Sequence, residues 1–258
     1  MTTIRFDVKN NTAFITLNRP EVFNSFNKEM AMEVQQALDT CQSDPDIRCV
    51  VISGEGKAFC AGQDLKEVTD PKGPPLTNIV RDHYNPIIEK IRNLDKPVIA
   101  AVNGVAAGAG ANIALSCDVV IAVESAAFIQ AFSKIGLIPD SGGTFFLPRL
   151  IGFQRASALM MLGDKISAQE AENMGMIYKS FVATDFDNAI GEISGKLAGM
   201  PTVGLAYTKK ALNKSMNNNL TAQLMLEEEL QTKAGRTHDY NEGVDAFLNK
   251  RKPVFKGK

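Results

Sequence analysis

Tryptophan is absent, histidine occurs twice, cysteine four times, and positive and negative charge nearly cancel over 258 residues. Each scarcity removes a class of function. His83 and His238 lie far apart, with no cysteine or carboxylate at metal-ligand spacing, so no metal site is expected. The same poverty of histidine leaves Ser141 without a partner for a Ser-His-Asp arrangement. Cys41, Cys49, Cys60 and Cys117 form no C-x-x-C pair, and no charged-then-apolar stretch opens the sequence. Free thiols in a reducing, cytoplasmic setting are expected. A formal charge of −1 and a pI near 6.2 argue against a broad basic surface for nucleic acid, although a local basic cluster can still hold a phosphate-bearing ligand. The apolar run at 97–105 is too short to span a bilayer, and its small-residue continuation carries Asn103 and Asn112 before stopping at Asp118, so no membrane association is expected.

What is present is a core-forming composition: 45% hydrophobic and 22% charged, enough for one large domain with an appendage. Ile4, Phe6 and Val8 alternate, and the Asn10-Asn11 pair leads into a second apolar run at 13–17, the pattern of a hairpin. Met30, Val34, Ala37 and Leu38 have helical spacing, which predicts a helix over 27–40, and 49–53 reads as a buried strand. A second unit repeats the theme, with a helix over 84–94, a strand at 98–102, a helix over 110–115 and a strand at 118–122. This is an α/β layered core. Residues 178–182 are the last convincing strand. Helical patterns occupy 168–174, 186–199, 203–216 and 220–233, and a short helix at 240–248 precedes the basic run Lys250-Arg251-Lys252. The division expected is a core over 1–195 and a helical region over 196–258. The proline cluster at 71–75 reads as a loop. Met160, Met161, Met174 and Met176 are expected to fill gaps in the core or a subunit contact. Asp118 and Glu124 read as structural, and His83 with Tyr84, in the loop before the second helix, read as surface residues, with lining of a substrate pocket as the alternative.

Two stretches carry chemistry. One is Gly56 to Leu65, which contains Phe59-Cys60-Ala61-Gly62-Gln63-Asp64 and follows a buried strand. The other is Asn103 to Gly110, which follows another strand and opens a helix. Small residues let a ligand approach the backbone, and the first N–H groups of a helix lack intrahelical partners and favour negative charge. Either turn alone reads equally well as an ordinary glycine-rich connection.

Together with Leu17-Asn18-Arg19-Pro20, Asn24-Ser25, the stretches 97–110 and 136–149, and Glu242-Gly243 with 247–256, these turns make the whole chain resemble the crotonase family, the enoyl-CoA hydratase/isomerase superfamily. The resemblance implies a spiral of strand-strand-helix repeats with a helical C-terminal region that builds trimers or dimers of trimers. It also implies an acyl-CoA substrate and no cofactor beyond that coenzyme A. Carried over by position, the oxyanion hole falls on the backbone N–H groups of Gln63 and Ala109. Coenzyme A contacts fall on Glu21, Val22 and Phe23 and on Ala61, Asp64 and Leu65. Lys250 matches a lysine that reaches the coenzyme from a neighbouring subunit, although by local sequence it is a solvated tail charge.

Where family hydratases carry two glutamates that handle water, this chain has Asn112 and Phe132, and neither side chain can act as a carboxylate base. Both positions border the acyl group by resemblance. Asp140 remains. Locally it reads first as a helix N-cap before Ser141-Gly142-Gly143; by resemblance it is the working aspartate of family isomerases and dehalogenases, and partial burial would raise its pKa toward that of a useful base. The run 131–144 is nearest to the family isomerases that act on a phenylacetyl-CoA ring epoxide. The expected reaction moves a double bond through a thioester enolate, from the epoxide to an oxepin, from a 3-enoyl-CoA to a 2-enoyl-CoA, or both. The alternatives are hydration or another family reaction, and a catalytically silent subunit in a hetero-complex with another member.

Overall fold

The computed structural model describes residues 1–258. Its frame is two sheets laid down in alternation. Strands β1 (Ile4–Lys9), β2 (Thr12–Leu17), β3 (Cys49–Gly54), β5 (Val98–Val102), β7 (Val119–Val123) and β10 (Lys179–Phe181) form the larger sheet in the order β1-β2-β3-β5-β7-β10. The smaller sheet runs β4 (Ala58–Cys60), β6 (Val105–Ala107), β8 (Ala127–Ile129), β9 (Lys165–Ser167). The chain thus pairs a long strand with a short one and repeats, a strand-strand-helix spiral.

The hairpin forms where the sequence placed it. Asn10 and Asn11 both have positive φ (50° and 60°), the conformation of a two-residue turn whose twist matches the strands, and Ile4 pairs with Leu17 through to Lys9 with Thr12. Beyond it the large sheet is parallel. Its strands carry continuous apolar runs because both faces are covered, and all five residues of β5 are buried. Helix α1 (Lys28–Ser43) starts at Asn27, whose side chain accepts from the Met30 N–H, and buries Met30, Ala31, Val34, Ala37, Leu38 and Cys41. That stripe has the spacing of one helix face.

Several expectations need correction. The four short strands of the smaller sheet fall in stretches read as turns or left unassigned. Helix α2 (Leu65–Thr69) and helix α6 (Phe153–Leu162) were not anticipated, helix α5 (Gly143–Ile151) was announced only through the cap reading of Asp140, and the second helix is preceded by a π-helical turn, Ile79–Tyr84, before α3 (Asn85–Asn93). His83 and Tyr84 are buried, 4% and 1% exposed, because the widened turn carries them inward against α1. Of the four methionines, Met176 is buried and Met160 and Met174 pack partly against the core, whereas Met161 is exposed.

Helix α4 (Ala109–Ser116) is buried along its whole length. After α7 (Ala168–Asn173), α8 (Ala183–Ala198) lies on the large sheet, so it runs across the 195/196 division. The remaining helices are α9 (Thr202–Ser215), α10 (Leu220–Ala234) and α11 (His238–Leu248). Asp118 has the structural role expected of it: it accepts from the Val98 N–H and pairs with Arg92 (3.0 Å) and Lys209 (2.8 Å), which ties α9 to the core. No helix of the chain is long and apolar enough to cross a membrane.

Candidate active site

The site is built where β4 and β6 end. Phe26 and Gln63 form an isolated parallel bridge. The Phe26 N–H donates to the Gly62 carbonyl at 2.7 Å, and the Asp64 N–H donates to the Phe26 carbonyl at 2.8 Å. Backbone groups alternate sides in such a bridge, so the N–H of Gln63 itself is turned away from Phe26. A Cβ on Gly62 would lie 3.0 Å from the Ala107 carbonyl and 3.6 Å from the Ala109 nitrogen, which puts the two turns side by side. At the next step, the backbone of Gly110 rests on Cys60 with no room for a Cβ, and this close contact lets the first turn of α4 seat against β4. The N–H groups of Gln63 and Ala109 find no acceptor within the chain. For Ala109 the reason is its place as the first residue of a helix.

Asp140 is tied to this pair through α4. One turn along the helix from Ala109, the fully buried Asn112 donates its Nδ2 to the Asp140 carbonyl at 2.9 Å and accepts from Gln130 Nε2 at 2.8 Å. Gly143, at the start of α5, packs directly on the Asn112 amide, and its N–H donates to the Asp140 carbonyl at 2.8 Å. Asn112, expected to border the acyl group, therefore acts from behind the site by holding the aspartate's backbone. The helix cap falls on Gly142 with no side-chain bond, so the carboxylate of Asp140 is not spent as an N-cap. Its one side-chain partner is the Ser141 hydroxyl, which donates at 2.9 Å. Burial raises the Asp140 carboxyl above its ordinary range, outweighing the Ser141 bond that lowers it. Phe132 is buried with its ring edge 3.8 Å from where a Cβ on Gly108 would stand, an aromatic wall over the turn.

The residues matched to coenzyme A contacts are brought together, except one. The Ala61 N–H donates to the Phe23 carbonyl at 3.0 Å, which sets the loop Pro20–Val22 beside the turn at Ala61. Ala61, Glu21, Phe23 and Leu65 are exposed, and Val22 is half-buried. Asn24 bolts this loop down, donating to the carbonyls of Glu55 (2.9 Å) and Ala58 (2.8 Å). Asp64 is buried and accepts from Arg19 Nη2 at 2.8 Å and the Lys66 N–H at 3.0 Å. It thereby joins the Asn18-Arg19-Pro20 stretch to the start of α2. Lys250 stands apart, exposed after α11 with φ +52°. Its neighbour Arg251 pairs with Glu242 (2.7 Å) and Asp245 (2.6 Å), leaving Lys250 without an acid partner.

Sequence reading passed over Glu67 and Gln130 here and set Tyr84 at the surface. The hydroxyl of Tyr84 donates to Gln63 Oε1 at 2.7 Å, Glu67 accepts from Gln63 Nε2 at 2.8 Å, and Gln130 supports Asn112. The links from Tyr84 to Gln63 and from Gln130 to Asn112 join separate elements, so no local pattern marks them, whereas Gln63 and Glu67 stand four residues apart, a local helical spacing. Cys60, behind the Gln63 turn, is no nucleophile: burial pushes its thiol up to about 12. Two unpaired donors, with a half-buried carboxylate whose backbone is held by the same helix α4, suit the stabilisation of an oxyanion as a proton is removed.

The enoyl-CoA hydratase/isomerase family model matches residues 7–258. The chain is 49% identical to 1,2-epoxyphenylacetyl-CoA isomerase of Escherichia coli K12 over 247 residues, covering 95% of this chain and 94% of the relative. It is 45% identical to a Rhodobacter capsulatus protein named "probable enoyl-CoA hydratase", over 99% of this chain and 98% of the relative. Among solved structures, an enoyl-CoA hydratase of Bacillus anthracis superposes with a TM-score of 0.93 at 34% identity, both chains being fully covered.

Proposed function

Because the chain belongs to the enoyl-CoA hydratase/isomerase family, we propose that it isomerises an acyl-CoA through a thioester enolate, with Asp140 carrying the proton and the Gln63 and Ala109 N–H groups holding the oxygen. The observation that carries this reading is the combination at the end of α4. Asp140 has a half-buried carboxylate with raised pKa and no cationic partner, and its backbone is held by Asn112, one turn along α4 from the unpaired Ala109 N–H, which lies next to the Gln63 turn. Asp140 removes an acidic proton near the thioester. The negative charge that develops on the carbonyl oxygen meets donors already in place, each worth about 10²–10³ in rate where single donors have been removed from other enzymes. The protonated aspartic acid then returns the proton to another carbon, and the double bond has moved. One group suffices for both transfers.

The substrates we propose are a ring epoxide of phenylacetyl-CoA, opening to an oxepin, and 3-enoyl-CoA thioesters, giving 2-enoyl products. The isomerase relative from Escherichia coli supports the first, and the aromatic wall of Phe132 is compatible with it. Hydration is the reading favoured by the names of other relatives. The side chains oppose it, since the two water-handling positions hold an amide engaged on both sides and a phenyl ring. Glu21, Val22, Phe23, Ala61, Asp64 and Leu65 are proposed to flank the coenzyme, Lys250 to approach it from a second chain, and the chain to assemble as a trimer or dimer of trimers. Supplying the purified protein separately with 3-enoyl-CoA, 2-enoyl-CoA and the epoxide tests the reaction. Isomerisation of the first or third is the expected result, and rapid hydration of the second would overturn it.

A further inference from the structure

We infer that Tyr84 is a positioning residue for the oxyanion pair, acting through the side chain of Gln63; the inference rests on the oxyanion role proposed above for the Gln63 N–H. An oxyanion hole built from backbone donors makes no demand on the side chain at that position. Here the side chain is pinned at both ends. Gln63 Oε1 accepts from the Tyr84 hydroxyl at 2.7 Å, and Gln63 Nε2 donates to Glu67 Oε2 at 2.8 Å. The other oxygen of Glu67 accepts from the Lys28 N–H at 2.9 Å, at the first residue of α1. The amide cannot be reversed. A carboxylate only accepts, so the NH₂ must face Glu67 and the carbonyl must face Tyr84, which makes the phenol the donor.

The backbone of the same residue is gripped from the other side by the Phe26 bridge, and Phe26 itself lies against the Tyr84 ring, with centroids 5.8 Å apart and planes at 58°. One buried side chain therefore supports both anchors of the Gln63 peptide. Burial holds the Tyr84 phenol far above its usual titration range, so it remains a donor wherever the protein is folded. The π-helical turn Ile79–Tyr84 delivers it; such widened turns are rare and concentrate at functional sites.

Tyr84→Phe keeps the ring and its packing on Phe26 while deleting the hydroxyl. The readouts are kcat and KM for isomerisation, the melting temperature, and the near-ultraviolet absorbance of the enolate of bound acetoacetyl-CoA. A misplaced donor should cost less than a deleted one, so kcat and the enolate signal are both expected to fall about tenfold, with KM within about twofold and little change in melting temperature. In the Gln63→Ala background the same change should have no further effect, because the link it breaks is already gone. Unchanged kcat and enolate absorbance in Tyr84→Phe would overturn the inference, as would full additivity with Gln63→Ala. If the wild-type chain binds acetoacetyl-CoA as the enolate yet isomerises none of the thioesters, the proposed reaction fails, while a weaker enolate signal in Tyr84→Phe still supports the positioning role. If the wild-type chain produces no enolate signal, the oxyanion reading falls and the positioning role with it.

Discussion

In the large sheet every residue of β5 is buried and α4 is covered along its whole length, whereas α9, α10 and α11 leave Leu212, Leu220, Leu224, Met225, Phe247 and Leu248 exposed. The two regions use apolar side chains differently. The sheets and α4 close their hydrophobic faces on one another, and the site at Gln63, Ala109 and Asp140 is set by contacts within that closed centre, although around it Ile138, Phe153, Met161 and Leu162 are exposed as well. The C-terminal helices hold to the spiral through a few polar links, such as Lys209 with Asp118 and Arg48 with the carbonyls of Met200 and Phe255. Between them they leave an open apolar groove lined by Leu205, Leu212, Leu224 and Leu230. Exposed apolar area of this extent is a mark of interaction, and it is the basis for proposing that further copies of the chain cover it. The difference separates two kinds of variant, those that change chemistry within one chain and those that change how chains meet.

The largest effect is expected in the spiral. Asp140→Asn should lower kcat by about 10²–10⁴, the contribution of a positioned acid or base, without loss of fold by circular dichroism. Its pH behaviour has a definite sign. A carboxyl whose pKa is raised on folding contributes its stability fully below the ordinary aspartate range and loses it as pH rises through the folded value. The wild-type protein should therefore gain activity with pH over the window in which it loses stability. Asp140→Asn should melt above it at neutral pH, with the advantage shrinking in acid; thermal scans across pH check this. The second effect crosses the boundary between the regions. Lys209→Met removes a buried cation and leaves Asp118 with Arg92 and the Val98 N–H, costing about 1.5–3 kcal/mol, the range for a hydrogen bond to a charged group. Equilibrium denaturation should report that loss, and limited proteolysis should then cut first after α8. Third, Asn112→Ala leaves the Asp140 carbonyl with the Gly143 N–H alone and the Gln130 amide without its acceptor, which should cost about 1–3 kcal/mol and appear as roughly a tenfold fall in kcat with KM retained. The smallest effect on the single chain, within about 0.5 kcal/mol as for other exposed positions, is expected of Leu212→Glu and Leu224→Glu. Yet sedimentation should show a smaller particle, and an unchanged particle would erase the contrast drawn here.

How much of this was legible in the sequence follows the same division between local and distant causes. The Asn10-Asn11 turn, the Asn27 cap with its apolar stripe, the buried runs and the tail helices are written in short windows, where period and turn chemistry act. Strands of three residues such as Ala58–Cys60 and Val105–Ala107 are too brief to show a period, and they exist because β4 and β6 find each other across the fold. The burial of His83 and Tyr84 depends on a widened helical turn that no apolar spacing announces. Pro148 sits inside α5, where the local rule argues against a helix. At the site, the residues alone gave two glycine-rich turns and an aspartate that resembled a cap. Their roles came from resemblance, and the bonds that support them, from Asn112 to Asp140 and from Tyr84 to Gln63, join elements whose proximity only the fold creates.

The order of strands in the large sheet is also their order along the chain, and the same holds for the smaller sheet. No strand has to be inserted between two that are already paired; each is added at an open edge. Synthesis from the N-terminus therefore delivers both sheets in the sequence in which they are built, beginning with a hairpin that is covered as β3 and α1 follow. The second donor turn is closed only when Ile129 arrives, whose carbonyl accepts from the Gly108 N–H, and the loop bearing the aspartate follows it.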